Sequence, residues 1–174
     1  MRALDVANLF IERHSDLGLS NSSLNKLVYY AQVKSLATTG KPLFDSRIEA
    51  GDYGPVEPEV YEAFEQYGKQ PIRHVAPSGH PVDADGLREA GEIVDAVAEE
   101  YKDFTAFDLL TWSHRPGTAW SNVYQRGVRN VPITREDILR SRDLEKPTSD
   151  YTLASCMKVI GEKYPNTFKL LADA

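Results

Sequence analysis

Apolar residues recur at helical spacing from the first residues of the chain. Ala3, Val6, Ala7, Phe10, Ile11 and His14 share one face of a first helix, and Gly18 closes it. The polar run Ser20-Asn21-Ser22-Ser23 offers a cap for a second helix carrying Leu24, Leu27, Val28, Ala31 and Leu36, which Gly40 and Pro42 stop. Residues 46–53 read as extended, with Ile48 and Ala50 alternating against Arg47 and Glu49, and Gly54-Pro55 reads as a turn. Pro58 suits the first turn of a third helix that puts Val60, Tyr61, Phe64 and Tyr67 inward and ends at Gly68. Pro71, Pro77, Gly79 and Pro81 mark residues 69–82 as a long exposed loop.

A fourth helix follows Asp83 or Asp85, with the stripe Leu87, Ala90, Val94, Val97 and Tyr101. Thr105 with Asp108 has the spacing of a capping box and opens a fifth. Pro116-Gly117 breaks it before a short helix bearing Trp120, Val123 and Tyr124. Residues 128–133 form a candidate strand to pair with 46–53, and Thr134 with Asp137 repeats the capping-box spacing before a helix near 135–142. After Pro147 a last helical region carries Leu153, Met157, Ile160 and Tyr164. Pro165 interrupts it and Asn166 can cap a final turn. The pattern predicts a mainly α fold: a single compact multi-helix domain over 1–146, with at most a small two-stranded β ribbon. Residues 147–174 are a helical extension that packs on the domain or on a partner.

Composition and charge sharpen this picture. The chain has 174 residues, 41% hydrophobic and 26% charged, enough apolar material for a core. It has one cysteine, Cys156, so no intrachain disulfide is available, which fits a reducing compartment. No basic-then-apolar leader and no apolar run near the roughly 20 residues of a membrane helix is visible, so a cytoplasmic location and no membrane partner are expected. The net charge of −6 is unevenly spread. Residues 45–65 hold seven acids against Arg47, and residues 83–103 hold eight against Arg88 and Lys102. Such blocks argue against phosphate binding and fit a basic protein partner, or are simply solvated helix faces.

The search for chemistry excludes more than it finds. His14, His74, His80 and His114 have no zinc-ligand spacing to each other or to Cys156. Asp83-Ala84-Asp85-Gly86 lacks the rest of a calcium loop, and Gly51-Asp52-Tyr53-Gly54-Pro55 lacks the Lys-Ser/Thr of a nucleotide loop. Neighbouring helical side chains diverge, so Ser113 and His114 are not expected to act as nucleophile and base to each other. Cys156, between Leu153 and Ile160 and near Lys158, reads as a buried, inert thiol. No cofactor is implied. Tyr29, Tyr30, Tyr53, Trp112 and Trp120 fall beside turns or near helix breaks, where amphipathic rings serve interfaces, although filling a core is the commoner use of each.

Four segments occur in order: Leu24-Asn25-Lys26-Leu27-Val28-Tyr29-Tyr30-Ala31-Gln32; Gly40-Lys41-Pro42-Leu43-Phe44; Ile48-Glu49-Ala50 leading into Tyr53-Gly54-Pro55-Val56 and Pro58-Glu59-Val60-Tyr61; and residues 110–120 with Ser113-His114 and Trp120. Together they resemble the Panacea domain, also known as the SocA/GepA-like family of phage-associated and antitoxin proteins, over about residues 3–142. The chain departs from the family pattern at Gly51, where a bulky aromatic is common, at Arg115-Pro116, where an acid often follows, and at Ala119-Trp120, where Pro-Trp is usual.

The resemblance implies a helical antitoxin domain that neutralises a protein toxin encoded beside it by direct binding. It also admits an adaptor role, in which the toxin or another substrate is delivered to an ATP-dependent protease or chaperone. A hydrolase using His114 with Glu57 or Asp52 is the outlying alternative, and the chain's acidity argues against direct nucleic-acid binding. On this reading Tyr29, Tyr53, Val56, Trp112, His114 and Trp120 are candidate partner contacts. Lys26, Gly54, Pro55 and Tyr61 are candidate supports of the motif's structure.

Overall fold

The structure, a computed structural model, describes residues 1–79, 81–148 and 152–163. Its core forms around one helix, α2 (Asn21–Thr39), against which α1 (Ala3–Arg13), α3 (Pro58–Phe64), α4 (Ala84–Tyr101), α5 (Ala106–Ser113) and α7 (Arg135–Leu139) all pack. The short α6 (Ala119–Val123) and the C-terminal α8 (Leu153–Lys163) complete the helices of the described residues. The fold is mainly α with one two-stranded antiparallel ribbon, as the periodicity predicts.

The local signals explain most helix ends. Ser20 and Ser23 form a reciprocal cap at the start of α2, and Gly40, left-handed at φ 69°, ends it. Asp83 caps α4, and the Thr105/Asp108 and Thr134/Asp137 pairs close capping boxes on α5 and α7. α1 stops at Arg13, earlier than Gly18, which instead ends a 3-10 turn over Ser15–Leu17. The helix expected over 135–142 stops at Leu139 and gives way to a 3-10 turn, Arg142–Leu144.

α2 differs from the expected one-sided stripe, because it is buried on nearly every side. Its polar side chains are drawn inward as ties for neighbouring loops. Gln32 accepts the Leu43 and Phe44 N–H groups at 2.8 and 3.2 Å and donates to the Phe44 carbonyl at 3.0 Å. Ser35 Oγ donates to the Lys41 carbonyl at 2.9 Å, and Asn25 Oδ1 accepts the Glu57 N–H at 3.0 Å. The ties to Phe44 and Glu57 satisfy backbone groups that burial would otherwise leave unpaired.

The ribbon sits differently from its expected place. β1 (Glu49–Gly51) pairs with β2 (Gly54–Val56) in the register Glu49↔Val56, Ala50↔Pro55 and Gly51↔Gly54, so the turn is Asp52-Tyr53 and Gly54-Pro55 belongs to a strand. The expected pairing with 128–133 is present as a short edge contact. Ala50 N–H donates to the Val131 carbonyl at 2.8 Å, and Ile133 N–H to the Ile48 carbonyl at 2.9 Å. Two stripe positions also differ: Leu87 and Tyr61 are exposed rather than inward.

At the C-terminus, Leu153 and Met157 are 48% and 47% exposed, and Cys156 is an exposed free thiol rather than a buried one. α8 is tied to the domain at its start, where Thr152 is buried and Leu153 N–H donates to Asp108 Oδ1 at 2.7 Å. That anchorage does not turn the face bearing Leu153 and Met157 onto the core. The side chain of Ile160, together with Tyr164, Pro165, Asn166 and the terminal residues, lies outside the described residues, as does His80.

Candidate partner-binding site

The ribbon is mounted on α2 from one side. Lys26 is 3% exposed, and its Nζ donates to the Pro55 carbonyl at 3.0 Å. Burial lowers its pKa from 10.5 to about 8, because an ammonium in a dry interior loses its hydration. Asn25, one residue earlier, holds Glu57 N–H, so adjacent side chains of α2 fix both ends of the segment 55–57. Glu57 Oε2 then caps α3 by accepting Val60 N–H at 2.7 Å, and burial pushes the Glu57 carboxyl up.

Gly54 is where these elements converge. Its φ is +100°, and a Cβ placed there would lie 2.7 Å from both Lys26 Cε and Ser113 Oγ and 3.3 Å from His114 Cε1. Glycine is therefore required twice over, by conformation and by space. Pro55 beside it supplies the carbonyl that Lys26 grips, and its missing N–H removes no bond from the short ladder's other edge.

The other side of the ribbon is held by α5 and α6. Trp120 Nε1 donates to the Gly51 carbonyl at 2.7 Å. The Trp120 ring packs on His114 with centroids 3.8 Å apart and stacks on Tyr124 at 4.5 Å, 19° from parallel. Tyr124 OH donates to Asp52 Oδ1 at 2.7 Å, and that bond pushes its phenol up. Gly51, Asp52, Tyr124, Trp120, His114 and Gly54 thus form a continuous mount around the ribbon's end. Out of it projects Tyr53, 75% exposed.

The candidate residues separate cleanly on this geometry. Tyr53 is fully presented, and Val56 and His114 are half-buried. Trp120 is buried and supports the ribbon from beneath. Tyr29 and Trp112 are buried in the core, which corrects their reading as surface aromatics. Tyr29 OH donates to Asp143 Oδ2 at 2.8 Å, and Trp112 lies under the Arg115 guanidinium, 3.2 Å from its ring centroid. Of the motif positions, Lys26, Gly54 and Pro55 form the joint, while Tyr61 lies on the exposed side of α3.

Ser113 and His114 do approach each other, contrary to expectation, with Oγ 3.3 Å from Nδ1. The cause is the helix end: His114 is the C-terminal cap of α5, so its ring folds back over the last turn. Both groups face the Leu110 carbonyl, Ser113 Oγ at 2.8 Å and His114 Nδ1 at 2.6 Å. Nδ1 can bond a carbonyl only as N–H, so it is a donor here and not a base toward Ser113. Neither Glu57 nor Asp52 hydrogen-bonds His114 among the described residues; Glu57 caps α3 and Asp52 takes Tyr124 OH. No group of three or more His, Cys, Asp or Glu suited to a metal occurs among those residues, and no helix there is long and apolar enough to cross a membrane.

Sequence reasoning offered Asp52 only as a partner for His114, gave Tyr124 no role beyond its helix, and missed Asp143. Asp143 joins three elements, accepting Tyr29 OH and Ala119 N–H at 2.8 and 2.7 Å beside Ser141 Oγ at 2.9 Å. These partners are far apart in the chain, and no local spacing encodes them. Asn25 and Gln32 were visible inside the first family-like segment without a role attached.

Two comparisons with known proteins find relatives of this chain. The family described as antitoxin SocA-like, Panacea domain, matches residues 24–121, which include α2 from Leu24 onward, the ribbon, α3, α4, α5 and Trp120. The Antitoxin SocA of Caulobacter vibrioides (strain NA1000 / CB15N) is 31% identical over 127 residues, covering 68% of each chain. No solved structure matches the chain. The chain belongs to the SocA-like, Panacea-domain antitoxin family.

Proposed function

We propose that this protein is the antitoxin of a toxin–antitoxin pair and neutralises a protein toxin by binding it through the ribbon end, with Tyr53 as the central contact. The observation that carries the reading is the pairing of a fully presented tyrosine with a rigid mount. A turn whose backbone is already held on both sides loses less freedom on binding, and the tyrosine it carries offers both a large apolar face and a hydrogen-bonding tip. Val56 and the half-buried edge of His114 complete the contact, while Trp120 and Lys26 position it. Ser113, His114 and Lys26 are engaged in holding the fold, which favours binding over catalysis as the mode of action.

The test is co-expression with the product of the gene adjacent to this one in a bacterial host. The wild-type chain restores growth and co-purifies with that product as a defined complex. Tyr53→Ala, folded by circular dichroism, restores growth poorly. Toxicity unaffected by the wild-type chain, with no complex formed, overturns the reading.

The exposed Leu153 and Met157 on α8 favour a second reading, in which the protein is an adaptor delivering the toxin to an ATP-dependent protease. A helix face left in solvent after the domain has folded is available to a second protein. Toxin half-life separates the two: occlusion leaves it unchanged or longer in the presence of this chain, and delivery shortens it in a protease-dependent way.

A further inference from the structure

The loop over residues 125–130 leaves α6 and is tied to the ribbon at both of its ends. Before it, Tyr124 OH donates to Asp52 Oδ1 at 2.7 Å, beside Tyr53. After it, the Val131 carbonyl accepts Ala50 N–H at 2.8 Å, and the Asn130 carbonyl accepts the Arg47 guanidinium. Within it, Val128 N–H closes a tight turn on the Gln125 carbonyl at 3.0 Å, and Gly127 and Asn130 are left-handed at φ 81° and 59°. Asn130 is the one non-glycine residue with positive φ among the described residues, in a conformation that asparagine tolerates and most side chains avoid. The loop is therefore a fixed shape mounted beside the Tyr53 turn.

Its side chains face solvent with their charge unmet. Every residue from Gln125 to Asn130 is exposed, Val128 by 48%. Arg126 and Arg129 form no ion pair among the described residues, and no Asp or Glu occurs between Asp108 and Glu136. The two carboxylates that border the loop are engaged, Glu49 with Arg47 at 3.1 Å and Asp52 with the Tyr124 hydroxyl. Three arginines thus stand against two acids at this edge of a chain whose net charge is −6. Farther along, Arg135 and Arg140 at α7 face Glu136 and Asp137 in equal number, so nothing there offsets the excess. The Arg126 charge also reaches the Tyr124 phenol, where it works against the upward push of Asp52.

The residue types select the class of partner. Every cation between Lys102 and Lys146 is an arginine, whose planar fork pairs with a carboxylate through two hydrogen bonds. Exposed Tyr53 and Val128 lie on the same side of the ribbon, and arginine beside exposed aromatic and apolar residues is the composition of protein interfaces. A nucleic acid would bring a long run of phosphates against the acids of residues 45–65, which continue from the ribbon into α3.

We propose that the loop is the specificity-determining half of the ribbon-end contact: Arg126 and Arg129 pair with carboxylates of an acidic segment of the partner protein, while Val128 and Tyr53 cover apolar surface between them. The proposal rests on the antitoxin reading for the partner's identity and not for its chemistry.

Two measurements test it. In the first, the complex with the neighbouring gene product is titrated with the double variant Arg126→Glu, Arg129→Glu. Its dissociation constant is expected to rise at least roughly tenfold, with the salt dependence of the wild-type complex lost. The control, Lys69→Glu with Arg73→Glu, makes the same charge change on another exposed loop and is expected to bind as wild type. Unchanged binding in the loop variant, or an equal loss in both, overturns the proposal. In the second, hexaglutamate, hexalysine and a single-stranded thymidine oligonucleotide are titrated into the ¹⁵N-labelled full chain. Hexaglutamate is expected to shift the amides of residues 125–130 and of Tyr53, and hexalysine to leave them in place. No shift with hexaglutamate, or tighter binding of the oligonucleotide at the same amides, overturns the proposal. If the wild-type chain forms no complex with the neighbouring product, the antitoxin reading fails and the peptide titration alone decides the loop.

Discussion

Lys26 Nζ lies 3.0 Å from the Pro55 carbonyl, so a nearly inaccessible ammonium on the central helix holds one strand of the ribbon. Its pKa is lowered to about 8, so between about pH 8 and 10.5 the unfolded chain carries a proton that the folded protein has shed. Stability therefore rises with pH across that window, and the penalty present in full below it is about 3 kcal/mol at about 1.4 kcal/mol per pH unit. The buried phenols of Tyr29, Tyr30 and Tyr101, all pushed up, act in the opposite sense at higher pH, because the folded state keeps protons that the unfolded state loses. Urea unfolding at about pH 7 and about pH 9.5 isolates the lysine. The wild-type protein should gain stability relative to Lys26→Met over this interval. Parallel profiles for the two would show that the ammonium is not the source.

Gly54 and Tyr53 are neighbours with opposite expected sensitivities. A Cβ at Gly54 meets Lys26 Cε and Ser113 Oγ at 2.7 Å in a backbone conformation with φ +100°. Gly54→Val should therefore cost several kcal/mol, combining strain with overpacking of about 1–3 kcal/mol each, and leave little folded protein. Tyr53→Ala removes a ring that is 75% exposed, so the denaturation midpoint should stay within about 0.5 kcal/mol of wild type while toxin affinity falls. Full neutralisation by a folded Tyr53→Ala protein would remove Tyr53 from the contact.

Trp120 joins two segments that are distant in sequence, through Nε1 to the Gly51 carbonyl and through its ring to His114 and Tyr124. Trp120→Phe keeps an aromatic ring and deletes the hydrogen bond. It should destabilise by about 1–3 kcal/mol, since Gly51 loses its donor. Amide exchange should show the ribbon opening before α2 does. Uniform loss of protection across the domain would mean that Trp120 serves the core as a whole.

The helices were legible because their causes are local. Ser20 and Ser23, Thr105 and Asp108, and Thr134 and Asp137 are three residues apart, and the caps they predict are all present. The ribbon was legible only in part. Gly54-Pro55 has turn chemistry, but at this site Gly54 serves a close approach of Lys26 and Ser113. That requirement comes from residues 28 and 59 positions away, outside any local window. The aromatic candidates fared by the same rule. Tyr29 and Trp112 sit in family-like segments because they build the core, and only Tyr53, on a two-residue turn, is fully presented. Buried polar residues such as Gln32 and Asp143 were invisible as ties because a hydropathy stripe records apolarity and not hydrogen-bond partners.

Residues 148–174 offer the sharpest test of how the extension is used. As a lid, α8 would cover its apolar stripe with the domain, and its removal would lower the melting temperature strongly. The structure places Leu153 and Met157 about half exposed, so only part of their apolar surface contributes to the free fold. The described ties to the domain are the Thr152 side chain and the bond from Leu153 N–H to Asp108 Oδ1. Asp108 retains its capping of Thr105 through Oδ2 when that bond is lost. Truncation after Pro147 should therefore shift the melting temperature of the free protein by only a few degrees, the equivalent of about 1 kcal/mol in a domain of this size. The double substitution Leu153→Asp, Met157→Asp should leave it unchanged. Both variants should bind the toxin more weakly if the face receives a partner, or shorten toxin half-life less if it serves delivery to a protease. A fall of more than about 5 °C on truncation, with toxin affinity intact, would return α8 to the role of a lid.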